Sequence, residues 1–249
     1  MEEYKKLFLI IALALSTIVY YRLSRNSKKS FEYNVLWNAL FLLFIIFSKL
    51  GGLIYGRQEI TIQSWSQSGV LLLCGTVPII FLAIVYFQFR GGLKENKQGI
   101  YAAIISLAIA QFIGRIGCWF DQCCYGIACS KNTLFHVWNR DLETFTLDVV
   151  MLEMVMLFCF LCIAVLLRAQ KLLIAMIYML SNGLFRWITD SLRLDYQPKG
   201  LFGDWGHGQE LSVALIVMSI WTLFFIVYYH SKKHGWFKRG KADTSNPFS

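Results

Sequence analysis

Long apolar stretches alternate with short polar segments along almost the whole chain. A helix that crosses a bilayer needs roughly 17–25 mostly apolar residues. Seven stretches span or nearly span that length: 7–21, 35–55, 69–89, 100–119, 147–167, 172–188 and 211–229. The pattern predicts an all-α integral membrane protein with seven transmembrane helices.

The composition supports this class of protein. The chain has 249 residues, of which 57% are hydrophobic and only 16% are charged. Soluble domains average about 45–50% apolar and about 25% charged residues, so an ordinary soluble domain and a disordered chain are both excluded. The net charge is +9, but the basic residues lie between the apolar stretches. This distribution is typical of membrane proteins and predicts no nucleic-acid partner.

The basic residues also predict the orientation of the helices. Fourteen Lys and Arg residues fall in one alternate set of connections and ends, against seven in the other set. The richer set is 22–34, 90–99, 168–171 and 230–249. Because cytoplasmic segments carry the excess of Lys and Arg, the N-terminus is predicted outside and the C-terminus in the cytoplasm.

This orientation places connections 119–146 and 189–210 on the outer face of the membrane. The predicted organisation is a single seven-helix transmembrane domain over 1–230, followed by a basic cytoplasmic tail over 231–249. Ionisable residues inside a membrane are costly and usually face a cavity or a partner.

Five ionisable residues stand out against the apolar stretches: Lys49, Arg115, Glu153, Arg186 and Asp190. Arg186 and Asp190 are four positions apart and share a helix face, with Arg193 three positions further on. One interpretation is a structural salt-bridge network that joins helices. The other is a cationic cavity near the outer leaflet that binds an anionic headgroup, because the planar guanidinium meets phosphate oxygens two at a time.

The densest polar segment is 111–126, at the end of the fourth apolar stretch, where three glycines, an arginine, an aspartate and three cysteines occur together. Gly114-Arg115-x-Gly117, followed by Tyr125-Gly126, resembles the signature of the bacterial prolipoprotein diacylglyceryl transferase family. That signature is Gly-Arg-x-Gly-Asn-Phe-x-Asn-x-Glu and then an aromatic-Gly step. Its two asparagine positions and its glutamate position are occupied here by Cys118, Asp121 and Cys123.

Further segments are similar to the same family. Residues 183–193 follow its Gly-x-Phe-Arg-x-x-x-Glu-x-x-Arg pattern with Asp190 for the glutamate, and 208–212 follow Gly-Gln-x-Leu-Ser. Lys49-Leu50-Gly51 is a weaker match to an Arg-x-Gly step. The family's third-helix His-Gly-Gly motif has no counterpart in 70–75, and its His-Pro-x-Gln-Leu-Tyr-Glu stretch is not recognisable in 144–150.

The resemblance implies transfer of a diacylglyceryl group from phosphatidylglycerol to the cysteine thiol of a lipoprotein signal peptide. It implies catalytic roles for Arg115, Arg186 and Asp190. Seven further residues are expected to bind substrate: Gly114, Gly117, Asp121, Arg193, Gln209, Ser212 and Lys49. His136 and His207 are candidates for the general base, because imidazole titrates near neutral pH. We expect a monomer in the bacterial cytoplasmic membrane, with neither cofactor nor metal.

The cysteines leave other functions open. Cys118, Cys123, Cys124 and Cys129 cluster at the predicted outer face, where disulfides form. A disulfide or structural thiols, a metal site and catalytic thiols are the alternatives, although the spacing is not the usual paired Cys-x2-Cys zinc pattern. Cys74, Cys159 and Cys162 are expected to be buried small hydrophobic residues. The alternative functions are a redox or metal-binding membrane protein and a small-anion or lipid transporter on the same scaffold.

Overall fold

The computed structural model describes eight segments of the chain: 2–25, 27–55, 72–90, 92–93, 95–122, 124–139, 142–193 and 205–233. They contain seven helices and one hairpin. The helices are α1 (Glu2–Ser24), α2 (Ser30–Tyr55), α3 (Leu72–Phe89), α4 (Lys97–Phe120), α5 (Val149–Leu166), α6 (Lys171–Ser191) and α7 (His207–Lys233). The hairpin is formed by β1 (His136–Asn139) and β2 (Thr144–Leu147).

Each predicted apolar stretch falls on one of these helices. Five of the helices are long and apolar enough to cross a membrane, whereas α3 and α7 contribute the shorter apolar segments Cys74–Phe89 and Gly208–Phe224. The predicted start of the third stretch at 69 lies outside the described residues. The predicted start of the fifth was wrong, because Leu147 belongs to β2 and α5 begins at Val149. Helix α7 continues to Lys233, three residues into the segment predicted as a tail.

Helix α4 lies at the centre of the bundle. It packs most extensively against α1 and also contacts α5 and α6, while α2 packs on α3 and α6 on α7. Small residues permit two of these close approaches. A Cβ added to Gly51 would lie 2.3 Å from the Cys74 Cβ, and one added to Gly183 would lie 3.0 Å from the Ser212 carbonyl oxygen. Larger residues at either glycine would force the paired helices apart.

The outer surface of the bundle is apolar, as expected where lipid covers a helix. On α5, for example, Phe158 is 58% exposed and Leu166 is 81% exposed. Cys159 and Cys162 are also exposed on this helix, so their predicted burial inside the protein was wrong, whereas Cys74 is buried. A sequence pattern cannot separate these two environments in a helix that is apolar on all sides.

The bundle has two distinct ends. We call the end where α4 and α6 finish and α5 and α7 begin the hairpin end. At the opposite end, ion pairs join the turn after α1 and the first turn of α2 to the α3–α4 connection: Lys29 with Glu95 at 3.9 Å, and Arg90 with Glu32 at 3.1 Å. These exposed pairs connect the polar ends of helices whose middle sections are apolar.

The hairpin end carries a small sheet rather than the plain connection predicted for 119–146. Strands β1 and β2 are antiparallel, with Val137 opposite Thr146. The Gly126 N–H donates to the Leu147 carbonyl at 2.9 Å, and the Ile127 N–H donates to the Leu192 carbonyl at 2.9 Å. The segment after α4 is therefore bonded to β2 on one side and to the end of α6 on the other.

Candidate functional site

Three neighbouring helices bring buried charges together near the hairpin end. Glu153 of α5 is only 4% exposed and lies between two arginines. Its Oε2 accepts the Arg115 Nε of α4, and its Oε1 lies 2.5 Å from Nη1 of Arg186 of α6. The Thr189 hydroxyl also donates to Oε1, at 3.1 Å. Both carboxylate oxygens of Glu153 are thus occupied by protein donors.

A second carboxylate extends the cluster. The Asp190 side chain is fully buried, and its Oδ1 lies 3.0 Å from Nε of Arg186 and 3.6 Å from Nη1 of Arg193. Three guanidinium groups therefore share two carboxylates, which leaves one net positive charge among these five groups. These contacts form a salt-bridge network that joins α4, α5 and α6.

Local sequence explains how α6 contributes its groups. Arg186, Thr189, Asp190 and Arg193 are spaced at i, i+3, i+4 and i+7, which places them on one side of a helix. Helix α6 ends at Ser191, so Arg193 reaches the cluster from the turn that follows. Arg193 also forms a backbone bridge with Gly126. The chain after the helix is thereby held against the small sheet.

Asp148 fixes the start of α5 beside the end of α4. Its Oδ1 accepts the Met151 N–H at 2.9 Å, which is an N-cap bond. Its Oδ2 accepts the Trp119 indole N–H at 3.1 Å. Glu153 lies five residues after Asp148, and Arg115 lies four residues before Trp119. The capping bond and the indole bond together fix the positions of α4 and α5 along their axes, so that Glu153 lies opposite Arg115.

Gly208 lets α7 approach Asp190. A Cβ at this position would lie 1.4 Å from the Asp190 Oδ2, so only glycine fits without a shift. The close approach places a buried carboxylate against the first turn of a helix, where the backbone dipole favours negative charge. The Gly-Gln-x-Leu-Ser segment therefore has a structural reason for its first residue.

A small polar cavity opens beside the charge cluster. It measures about 40 Å³ and is lined by α4, α5 and α6. Its polar walls are Gln111, Arg115, Glu153, Asn182 and Arg186. A cavity that combines fixed guanidinium groups with amide side chains can accept an anionic oxygen-rich group and hydrogen-bond it.

Seven of the predicted site residues lie in the charge cluster or at the C-terminal part of α4. Arg115, Arg186, Asp190 and Arg193 form the charge cluster, as described above. Gly114 lies on the same turn as Arg115, and nothing lies within 4 Å of a Cβ added there. Gly117 and Asp121 lie at the end of α4, where Gly117 accepts the Asp121 N–H at 3.1 Å and Asp121 is 8% exposed.

Three other predicted residues are engaged elsewhere. Gln209 Oε1 accepts the Gly206 N–H at 3.1 Å, and the Ser212 hydroxyl donates to the Gly208 carbonyl at 2.7 Å. Both side chains thus stabilise the first turns of α7. Lys49 lies on α2, a helix that contributes no wall to the polar cavity. Their predicted contact with substrate stays a prediction.

The candidate bases lie on the hairpin end. His136 is exposed at the start of β1, where its Nδ1 lies 2.9 Å from the Thr133 carbonyl and its ring packs edge-on against Phe145. His207 is the first residue of α7. His136 does not line the polar cavity described above, and the side chain of His207 lies outside the described residues. Their role as bases stays a prediction.

The cysteine cluster is described only in part. Cys118, Cys124 and Cys129 carry thiols, and Cys123 lies outside the described residues. Cys118 and Cys124 line a small cavity beneath β1 together with Trp138. Within the described segments, no group of three His, Cys, Asp or Glu side chains is arranged to hold a metal ion.

Glu153 is the central residue that sequence reasoning did not assign to the site. The sequence marks it as a charge in an apolar stretch, but not as the partner of both arginines. A signal was present in the family's seven-residue His-Pro-x-Gln-Leu-Tyr-Glu stretch. Counted from Leu147, that spacing ends on Glu153, so the acidic position is kept while the preceding positions differ.

In the described part of the chain, seven apolar helices surround paired, buried arginines and carboxylates. This arrangement defines a multi-pass membrane protein with a polar site inside its helix bundle. Residues 6–225 match the family model for prolipoprotein diacylglyceryl transferase, which covers most of the chain. The chain therefore belongs to this transferase family, whose members act on lipid and lipoprotein substrates in the membrane. A search of the curated proteins gave no match.

Proposed function

We propose that the protein moves a diacylglyceryl group from phosphatidylglycerol to the cysteine thiol of a lipoprotein signal peptide. The observation that carries this proposal is the net positive charge of the Arg115, Arg186 and Arg193 cluster beside a cavity inside the bundle. A phosphodiester carries one negative charge, and the leaving phosphate monoester carries more. Fixed guanidinium groups are suited to that increase in charge because they need no reorganisation as it develops.

The reaction forms one bond and breaks one. The peptide thiolate attacks the glycerol carbon that bears the phosphate, a C–S bond forms, and the C–O bond breaks to release glycerol 1-phosphate. In the proposed site, Arg115 binds the lipid phosphate and Arg186 stabilises the leaving group. Asp190 orients Arg186 through its 3.0 Å contact with Nε, and Arg193 adds positive charge.

The thiol proton has to leave before attack, because the thiolate is the nucleophile. Both Glu153 oxygens are occupied by guanidinium groups, so neither is placed to accept that proton. His136 and His207 remain the proposed candidates from the hairpin end. Variants with glutamine at each histidine, assayed across pH, test this. Replacing the histidine that acts as the base should lower the rate and remove its fall at low pH.

We place the enzyme in the bacterial cytoplasmic membrane as a monomer, with the hairpin end outside and the C-terminus in the cytoplasm. The excess of Lys and Arg in the connections at the opposite end supports this orientation. A signal peptide then meets the site from the outer leaflet. Cysteine accessibility labelling tests the orientation, since a cysteine introduced at exposed Leu134 should react from the outside only.

The test of function is a transfer assay with purified protein, phosphatidylglycerol and a peptide that carries a lipoprotein cysteine motif. Mass spectrometry of the peptide should detect the diacylglyceryl thioether. Replacing Arg115 or Arg186 by Ala should lower the rate about 100- to 1,000-fold, as loss of one preorganised donor does in other enzymes. Arg90→Ala, at the opposite end of the bundle, is the matched control and should leave the rate unchanged.

Cysteine variants separate this proposal from a redox function. Cys118 and Cys124 line the cavity beneath β1 rather than the polar cavity of the arginines. We expect Cys118→Ser and Cys124→Ser to retain transfer within a few-fold. Loss of transfer in the serine variants, together with a change of thiol state on oxidation, would instead favour a thiol function for this cluster. Flux of an anion without any covalent product would favour transport.

A further inference from the structure

Two apolar cavities follow α4 away from the charge cluster. The upper one, about 60 Å³, lies between α1, α2, α3 and α4 and reaches Gly114. The lower one, about 40 Å³, continues between α2, α3, α4 and α6 as far as Ile100. Gly114 and Ile100 are fourteen positions apart, so the two cavities cover about 21 Å of α4 at 1.5 Å per residue.

Four side chains stand between the cavities and line both: Trp37, Leu40, Ile79 and Leu107. They form a constriction near the middle of the apolar path. Trp37 and Leu40 are each 6% exposed, so the constriction is inside the protein rather than on its lipid-facing surface. Cavities walled by hydrocarbon stay dry and take apolar ligands.

Gln111 stands where the apolar path meets the polar cavity. It lines both the upper apolar cavity and the cavity that contains Arg115 and Arg186. Its Oε1 is buried and has no hydrogen-bond partner among the described residues. A buried amide oxygen without a partner is costly, and this oxygen can accept a hydrogen bond while the NH2 group beside it can donate one. This side chain is therefore suited to a polar group that a ligand brings to the boundary.

We infer that Gln111 binds the ester region of the diacyl lipid and that one acyl chain lies along the apolar path, with the constriction limiting chain length. The inference rests on the proposed function and goes beyond it. Along the site, the guanidinium groups come first, then the Gln111 amide, and then the apolar path. This order matches the phosphate, the ester and the acyl chain of a phospholipid. One leaflet of a hydrocarbon core is about 15 Å thick, so about 21 Å accommodates a full chain.

The ester contact is tested with ester and ether lipids. Gln111→Met keeps the size of the side chain and removes the amide. Wild type should bind dimyristoyl phosphatidylglycerol better than its dialkyl ether analogue, roughly 2- to 12-fold for one hydrogen bond. The variant should lose this difference. Equal ester preference in both proteins would overturn the role of Gln111.

The acyl path is tested by the chain lengths of bound lipid, read by native mass spectrometry of the detergent-purified protein. An equimolar mixture of phosphatidylglycerols with 12-, 14-, 16- and 18-carbon chains serves as the probe. Leu40→Ala opens the constriction and should shift binding toward longer chains, and Ala103→Leu fills the lower cavity and should shift it toward shorter ones. Each buried methylene changes an equilibrium constant by roughly fourfold, so the shifts should be large.

Leu42→Ala is the matched control, because Leu42 is on the same helix as Leu40 but is 61% exposed. Its bound-lipid profile should equal that of wild type. Identical profiles in all three variants would overturn the acyl path even if the enzyme transfers lipid. Shifted profiles without any transfer would support the acyl path and contradict the proposed function, so the two failures are distinguishable.

Discussion

Removing the charge of Glu153 tests how the site is held together. This carboxylate is buried and contacts both Arg115 and Arg186. Glu153→Gln keeps the shape of the side chain and leaves two buried guanidinium groups without their shared counter-charge. Removing one partner of a buried ion pair costs about 3–5 kcal/mol. The apparent melting temperature in detergent should fall by roughly 6–20 °C, since about 2–4 °C accompany each kcal/mol in a chain of this size.

The same substitution at an exposed pair gives the control. Glu32→Gln removes the partner of Arg90 at the opposite end, and exposed ion pairs contribute little, so its melting temperature should stay close to that of wild type. Adding Arg115→Gln to Glu153→Gln removes one of the two uncompensated charges. The double variant should therefore be more stable than the sum of the single effects predicts. Equal melting temperatures for Glu153→Gln and Glu32→Gln would refute the buried, shared carboxylate.

Two further predictions concern the packing around the site. Gly208→Ala places a Cβ against Asp190 and should lower both the melting temperature and the transfer rate. Gly114→Ala is the control and should leave the melting temperature unchanged, because there is open space around the added methyl group. Equal melting temperatures for the two variants would contradict the close approach of α7. Asp148→Ala removes an N-cap and should cost about 1–2 kcal/mol in thermal unfolding. Trp119→Phe removes the indole bond and part of a side chain that is 46% exposed, so it should cost less. The reverse order would contradict this role.

The helices could be predicted from hydropathy because each crossing needs a long apolar run. The boundaries were less accurate where apolar residues continue beyond the helix, as at Leu147, which is apolar but belongs to β2. The hairpin was missed because His136–Asn139 and Thr144–Leu147 are only four residues each. Strands this short carry too few positions for an alternating pattern to be recognised.

The charged residues of the cluster stand out in the sequence, but their pairing could be predicted only in part. The spacing of four residues along α6 predicted that Arg186 could pair with Asp190, since both lie on one face of one helix. The contact of Glu153 with Arg115 joins two helices, and periodicity along one chain segment does not specify which face of another helix it meets. Gln209 illustrates the converse, because its motif predicted a substrate contact while its amide bonds to the turn before α7.

The central claim is that the arginine cluster stabilises a phosphate that leaves as the thioether forms. We would measure it in a single turnover with phosphatidylglycerol that carries oxygen-18 in the bond between the diacylglyceryl carbon and the phosphate. The account predicts one glycerol phosphate containing oxygen-18 for each thioether peptide, because the C–O bond breaks, and a rate about 100- to 1,000-fold lower in Arg186→Ala. Oxygen-18 retained in a diacylglycerol product, or an unchanged rate in Arg186→Ala, would contradict it.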